Sequence, residues 1–166
     1  MLLRTVIATS VLAANVALAA ELSAPEGEVI LTVSGDIAAT NAGETAEFDL
    51  AMLEELGTTE FETSTIWTDG PQSFEGVALD DLMAALGVEG GTLRATAIND
   101  YSIEIPVSDA VEGGPILAYR RDGRAMSIRD KGPLWVVYPY DENADYRTEV
   151  VYSRSVWQLD RIEVID

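Results

Sequence analysis

Two of the residue types that most often carry chemistry are missing from this chain: its 166 residues include no cysteine and no histidine. Cys/His metal sites, an imidazole base, a thiolate nucleophile and His or Cys haem ligation are thereby excluded. What remains are oxygen donors, ten cationic side chains and the aromatics. Four constellations among them have types or spacing that invite a chemical reading.

Asp141-Glu142-Asn143-Ala144-Asp145 places oxygen donors at alternate positions, as a calcium loop does. The sixth position is Tyr146 where such loops need glycine, and the twelfth is Tyr152 where they carry glutamate. A solvated acidic loop is the plainer reading. Asp80 and Asp81 are neighbouring carboxylates, but they fall where a helix should start, and negative charge is favoured there without any catalysis. Ser127 and Lys131 have the types for a Ser–Lys nucleophile pair. Lys131 is equally suited to bind an anion or a ligand carbonyl.

The fourth constellation is a set. Trp67, Thr68 and Asp69 follow one expected strand. Asn99, Asp100 and Tyr101 sit at a turn, Tyr138 and Tyr140 follow another strand, and Ser153, Arg154 and Ser155 lie near the end. Aromatic faces beside Asn, Asp and Arg suit a flat heterocycle with donors and acceptors on its edge. The competing reading is that Trp67 and Tyr138 are core.

These groups must be carried by a strand-rich domain. Lys131 to Tyr140 holds the single lysine of the chain, a Gly-Pro turn and a run of β-formers. Leu134, Val136 and Tyr138 would face one way and Trp135 and Val137 the other, so this strand should be buried on both sides. Pro139 should end it, leaving Tyr138 and Tyr140 at its exit in a loop, where binding groups concentrate. Further strands are expected at Glu28–Gly35, Phe61–Trp67, Thr92–Ile98, Tyr101–Ile105, Ile116–Arg121, Arg124–Ile128 and Asp160–Ile165. Asp49 should cap a short helix running through Leu56, with Gly57 as its stop. Leu79, Leu82, Met83 and Leu86 have helical spacing, ended by Gly87. The sum is one α+β, mainly-β domain with two or three short helices.

The N-terminus reads differently. Arg4 precedes a short apolar stretch, Val6 to Val16, and Ala17-Leu18-Ala19 fits a small-x-small cleavage site. A cleaved signal peptide over residues 1–19 is expected, then a single domain over 20–166 in the periplasm, not inserted in the membrane. Charge is lopsided: Ala20 to Leu93 carries 16 acidic residues and no Lys or Arg, while Arg94 onward carries 13 acidic and 9 basic. Nucleic acid and anionic headgroups are poor partners for so acidic a chain.

Three stretches resemble the sulfite-oxidase-type molybdopterin-binding fold. Phe74 to Leu86 is similar to its W-x-G-V-x-L-x-D-L-L helix-leading motif. Ile116-Leu117-Ala118-Tyr119, then Asp122-Gly123, then Gly132-Pro133-Leu134-Trp135-Val136-Val137-Tyr138-Pro139, resembles L-A-Y-x-x-x-G followed by G-x-P-L-R-V-V-x-P. Arg154 to Val164 resembles R-S-V-K-W-L-x-R-I-E-V. The likeness runs from about Glu28 to Ile165. It implies a compact sulfite-oxidase-like domain, and the departures from it bear on function. The family's metal-binding thiolate falls at about Thr63 to Thr65, and there is no cysteine. Its phosphate-binding lysine is Trp157 here.

What the resemblance still implies is a cradle for a pterin ring, as in exported, cysteine-free relatives that bind pterins and act on membrane signalling proteins. The expected function is a periplasmic pterin sensor without molybdenum, with no tightly bound cofactor. It would modulate the periplasmic domain of a diguanylate cyclase/phosphodiesterase or a sensor kinase. The expected ligand contacts are Trp67 or Tyr138 for stacking, Asn99, Asp100 and Arg154 for the ring edge, and Lys131, Ser153 and Ser155 for carbonyl or hydroxyls. The alternative is a small molybdopterin-dependent oxidoreductase with a cysteine-free cofactor site. N-terminal sequencing of protein from the periplasmic fraction should begin at Ala20; a full-length product held in the cytoplasm would contradict the export reading.

Overall fold

The computed structural model describes residues 22–166; the expected signal segment, Met1–Ala19, lies outside the described residues. Ten strands form one curled sheet: β1 (Leu31–Gly35), β2 (Ala46–Phe48), β3 (Thr59–Ser64), β4 (Pro71–Ala78), β5 (Thr92–Ala97), β6 (Ser102–Pro106), β7 (Ile116–Arg121), β8 (Arg124–Ala125), β9 (Leu134–Val137) and β10 (Trp157–Ile165). The main path runs β2-β1-β10-β9-β7-β4-β3, with β5 and β6 branching from β10 and β8 extending β7. Among the described residues only the β1–β10 pairing is parallel. Three short helices, α1 (Leu50–Glu55), α2 (Leu79–Leu86) and α3 (Glu149–Arg154), complete the mainly-β domain.

β9 is the strand that the apolar run at Leu134 leads one to expect. All four of its residues are buried, and Tyr138 and Tyr140 beyond it are 0% and 1% exposed. The exit of this strand is therefore interior, not an open loop. β7 is similar, with Ile116 to Tyr119 all buried and β4 and β9 on its two sides. Strands covered on both faces read as continuous apolar runs, which is why these two were legible.

β4 was not legible as a strand. Phe74, Gly76 and Val77 are all buried, so the period-two alternation fails, and the strand's register against β7 shifts between Glu75 and Gly76, where β7 carries the extra residue, Tyr119. A Cβ on Gly76 would collide with the backbone of Leu117, so only glycine permits that approach. α2 starts after this strand, with Asp80 and Asp81 in its first turn and left-handed Gly87 (φ 70°) as its stop. α3 was missed outright. Thr148 caps it by accepting from the Val151 N–H at 3.3 Å.

Asp49 holds the N-terminal edge together. One carboxylate oxygen caps α1 by accepting from the Met52 N–H at 2.9 Å. The other accepts from the Glu26 and Gly27 N–H groups at 2.9 and 2.7 Å, stitching the incoming chain to the helix. These backbone donors, Met52 first, hold the Asp49 carboxyl below the usual carboxylate range. A depressed native value means that the stabilisation is present above the unfolded-state value of about 3.9 and is lost as pH falls through the native one. Asp49→Asn should therefore melt below wild type at neutral pH, with a gap that narrows below about pH 4. A gap constant from pH 7 to pH 3 would deny the carboxylate this role.

Candidate ligand-binding site

Four pieces of backbone converge on a cavity of about 470 Å³. The loop after β3 supplies Trp67, the β5–β6 turn supplies Asn99 and Tyr101, the end of α3 supplies Tyr152, Ser153 and Ser155, and β10 supplies Trp157 and Gln158. Ala97 and Val156 complete the lining. No lining residue carries a formal charge, in a chain whose net charge is −19.

Hydroxyl groups build the loop that presents Trp67. Thr65 and Thr68 share a hydrogen bond at 2.8 Å, and the Trp67 N–H donates to the Thr65 hydroxyl at 3.1 Å. Thr63 is buried and its hydroxyl accepts from the Asp141 N–H at 3.1 Å, while the Asp141 carboxylate accepts from the Ser64 N–H at 2.6 Å. That last bond holds the Asp141 carboxyl below the usual carboxylate range, with a smaller contribution from Arg147. The leading oxygen donor of the candidate calcium loop is thus tied to β3.

The indole of Trp67 then joins an edge-to-face cluster. Its ring centroid lies 5.9 Å from Trp135, 5.8 Å from Tyr152 and 5.5 Å from Trp157. All three tryptophans of the chain are in this cluster. Such offset or T-shaped contacts are favoured by the ring quadrupoles.

Trp157 reaches the cavity because β10 is bulged. Its register against β9 shifts between Trp157 and Leu159, and the extra residue, Gln158, has φ 54°. Lys131 is also left-handed, at φ 77°, and its carbonyl accepts from the Gln158 N–H at 2.9 Å. Two adjoining non-glycine residues in this region mark a site where backbone strain is retained, and bulges re-aim side chains beside binding sites. The Gln158 amide donates to the Ile128 carbonyl at 2.7 Å.

The structure brings together five of the twelve residues proposed from sequence: Trp67, Asn99, Tyr101, Ser153 and Ser155 all line the cavity. The other seven sit elsewhere. Thr68 serves the Trp67 loop, and Asp69 is exposed at the turn before β4. Asp100, left-handed at φ 66°, is ion-paired with Arg161. Lys131 lies behind the wall, its Nζ 4.1 Å from the Trp157 ring centroid and 5.4 Å from that of Trp135. Burial first, and Arg121 second, lower its pKa. The Ser127 hydroxyl donates to Asp130 at 2.7 Å, so it is not held by Lys131.

Tyr138, Tyr140 and Arg154 form the scaffold under α3. The Tyr138 hydroxyl and Arg154 Nη1 both donate to Asp109 Oδ2, at 2.8 and 2.9 Å. Burial, and then the Asp109 bond, push the Tyr138 phenol far up. Tyr140 shares a short hydrogen bond with Ser155, and burial pushes it up to about 12. Sequence reasoning did not place Tyr152, Trp157 or Gln158 in the site. Trp157 carried a signal, since it stands where the resembled family has a lysine; Gln158 carried none, because its placement comes from the bulge.

No protein-family model and no curated protein sequence matches this chain. Among solved structures it is similar to the sulfane dehydrogenase SoxCD from Paracoccus pantotrophus, at 20% sequence identity and a TM-score of 0.62. The likeness covers 89% of this chain and 40% of that one, so the chain spans well under half of its neighbour's length. The chain thus shares the mainly-β fold of that dehydrogenase, in keeping with the fold that the sequence resembles.

A molybdenum cofactor would need a soft ligand for the metal and cations for its phosphate. The cavity offers neither: its lining has no sulfur and no cation, the Thr63 hydroxyl is held by the Asp141 N–H, and the Thr65 hydroxyl serves the Trp67 loop. The residues present do not fit that group.

Arg154→Ala leaves Asp109, whose side chain is 17% exposed, with the Tyr138 phenol as its remaining donor. The variant should lose about 1–3 kcal/mol in urea unfolding. A double-mutant cycle with Asp109→Ala should return most of that as coupling; additive losses would show that the pair is only a screened surface contact.

Proposed function

We propose that this protein is an exported binding protein for a pterin, used without molybdenum, that reports ligand to the periplasmic domain of a membrane signalling protein. The observation that carries the reading is the cavity: aromatic, uncharged and edged by Asn99, Ser153 and Gln158. A pterin is a flat, neutral heterocycle with an amide-like edge. Indole and phenol faces match its ring, and side-chain amides can meet such an edge, Asn99 with its N–H groups and Gln158, whose N–H donates to the Ile128 carbonyl, with its oxygen. Asn99 already accepts from the Tyr101 N–H at 3.2 Å, which fixes the turn and leaves its amide N–H groups for ligand. A phosphorylated or metal-bearing ligand would enter with charge that this lining cannot neutralise, so selectivity should favour simple pterins.

The signalling half of the reading rests on the sequence resemblance and on charge. The acidic half of the chain favours encounter with a receptor domain that presents a basic face. The receptor expected is a diguanylate cyclase/phosphodiesterase or a sensor kinase. Ligand can signal only if that receptor distinguishes the filled from the empty form. Tyr101, at the cavity mouth, is 52% exposed and well placed to report occupancy.

Calorimetry with a panel of oxidised and reduced pterins tests the first half. Micromolar affinity, roughly −8 kcal/mol, is expected for one of them. Tyr101→Ala and Asn99→Ala should each weaken it by about three- to tenfold, the value of one stacking or edge contact. No heat with any pterin removes the site. Protein from a molybdenum-replete host should carry no stoichiometric molybdenum and should not oxidise sulfite. Pull-down of the receptor domain with and without pterin tests the second half. Unchanged capture would leave a pterin carrier with no signalling role.

A further inference from the structure

Nine Lys and Arg side chains lie among the described residues, and five of them, Arg94, Arg120, Arg147, Arg154 and Arg161, are ion-paired. The other four, Arg121, Arg124, Arg129 and Lys131, fall within one short stretch, the β7–β8 hairpin and the turn after it. Only two carboxylates share that stretch, Asp122 and Asp130. Asp122 accepts from the Ser73 N–H at 3.0 Å, and Asp130 accepts from the Ser127 hydroxyl at 2.7 Å. In a chain of net charge −19, the unpaired positive charge is gathered in one place.

The hairpin register sharpens this. Arg121 and Arg124 are direct cross-strand partners either side of the Asp122-Gly123 turn. Like charges opposite one another on a ladder destabilise it, and nothing in a two-residue turn demands arginine at both flanks. Both arginines line a pocket of about 420 Å³, with Asp122, Asp130, Ala125 and Met126 as its remaining walls. The pocket shares no lining residue with the aromatic cavity.

We propose that Arg121 and Arg124 bind a small oxyanion of the phosphate or sulfate class, bridged between their two guanidinium groups. Planar guanidinium forks match such oxygens two at a time, and the anion relieves the repulsion that the empty hairpin carries. Lys131 and Arg129 add long-range attraction. The site is independent of the pterin reading and stands or falls separately from it.

Calorimetry and thermal unfolding of the purified protein with inorganic phosphate, against chloride at matched ionic strength, test the proposal. Saturable heat and a raised Tm are expected with phosphate. Affinity should fall about tenfold or more in Arg121→Gln/Arg124→Gln, the worth of one charge-assisted contact. In phosphate-free buffer that variant should melt no lower than wild type, because a like-charge pair has been removed. A simple phosphate monoester run alongside tells a free ion from an esterified group, and binding of either one supports the site. Phosphate acting no better than chloride would overturn the proposal, as would an unchanged response in the double variant. So would loss of the phosphate response in Tyr101→Ala, which would move the anion to the aromatic cavity. Should the double variant fail to fold, Arg124→Gln, a change at an exposed side chain, decides by the same readout.

Discussion

Trp135 has to bury a whole indole inside β9 and still satisfy its N–H. It does both at once: the side chain is fully buried, and Nε1 donates to the Ser155 carbonyl at 3.1 Å. A buried indole donor left unpaired would cost about 1–3 kcal/mol, so this bond fixes where the end of α3 can lie. The faces and edges of the same ring then set its neighbours. Phe74 packs against it at 5.3 Å, Trp67 at 5.9 Å and Trp157 at 6.4 Å between centroids. One side chain thereby aligns β4, the loop after β3, the bulge of β10 and the end of α3. Those last three elements wall the cavity.

The other side of this arrangement is Lys131. It packs its cation on Trp157 and Trp135 from behind the wall. Cation–π attraction of about 0.5–2 kcal/mol favours that place over the cavity interior. The left-handed backbone at Lys131 and Gln158, joined by a hydrogen bond, holds the bulge that aims Trp157 forward and the ammonium backward. The result is a lining that is aromatic and neutral although a cation lies one ring away. The polarity of the cavity is therefore a consequence of backbone geometry as much as of composition.

The sequence disclosed the elements that obey a single rule. β7 and β9 are buried on both faces and read as apolar runs; α1 and α2 carry a cap or a stop where the rules place one. What it concealed were the places where two rules collide. β4 loses its alternation where Gly76 and Val77 are both buried and the β7 backbone approaches Gly76, and α3, with one buried residue, has no apolar stripe to announce it. The site divided along the same line. Trp67, Asn99 and Tyr101 were visible because turn chemistry puts them at strand ends. Tyr138 and Arg154 were read as ligand contacts because their types suit one, yet their polar atoms serve Asp109. Type alone does not distinguish a group aimed at ligand from one spent on scaffold.

That spending follows a pattern across the molecule. Arg120 is held between Glu54 and Glu75, which raises its pKa through those bonds, and it ties α1 to β4 and β7. Arg154 ties α3 to the turn that carries Asp109, and Arg94 and Arg161 lie along β5 and β10, joined to acidic residues of the sheet and its turn. In so acidic a chain carboxylates outnumber cations about threefold, 29 to 10, and five of the nine cations among the described residues are ion-paired. The unpaired ones are notable for lying together in one stretch. Where two stand opposite each other on one hairpin, an anion from outside the chain would offset their repulsion, as proposed above.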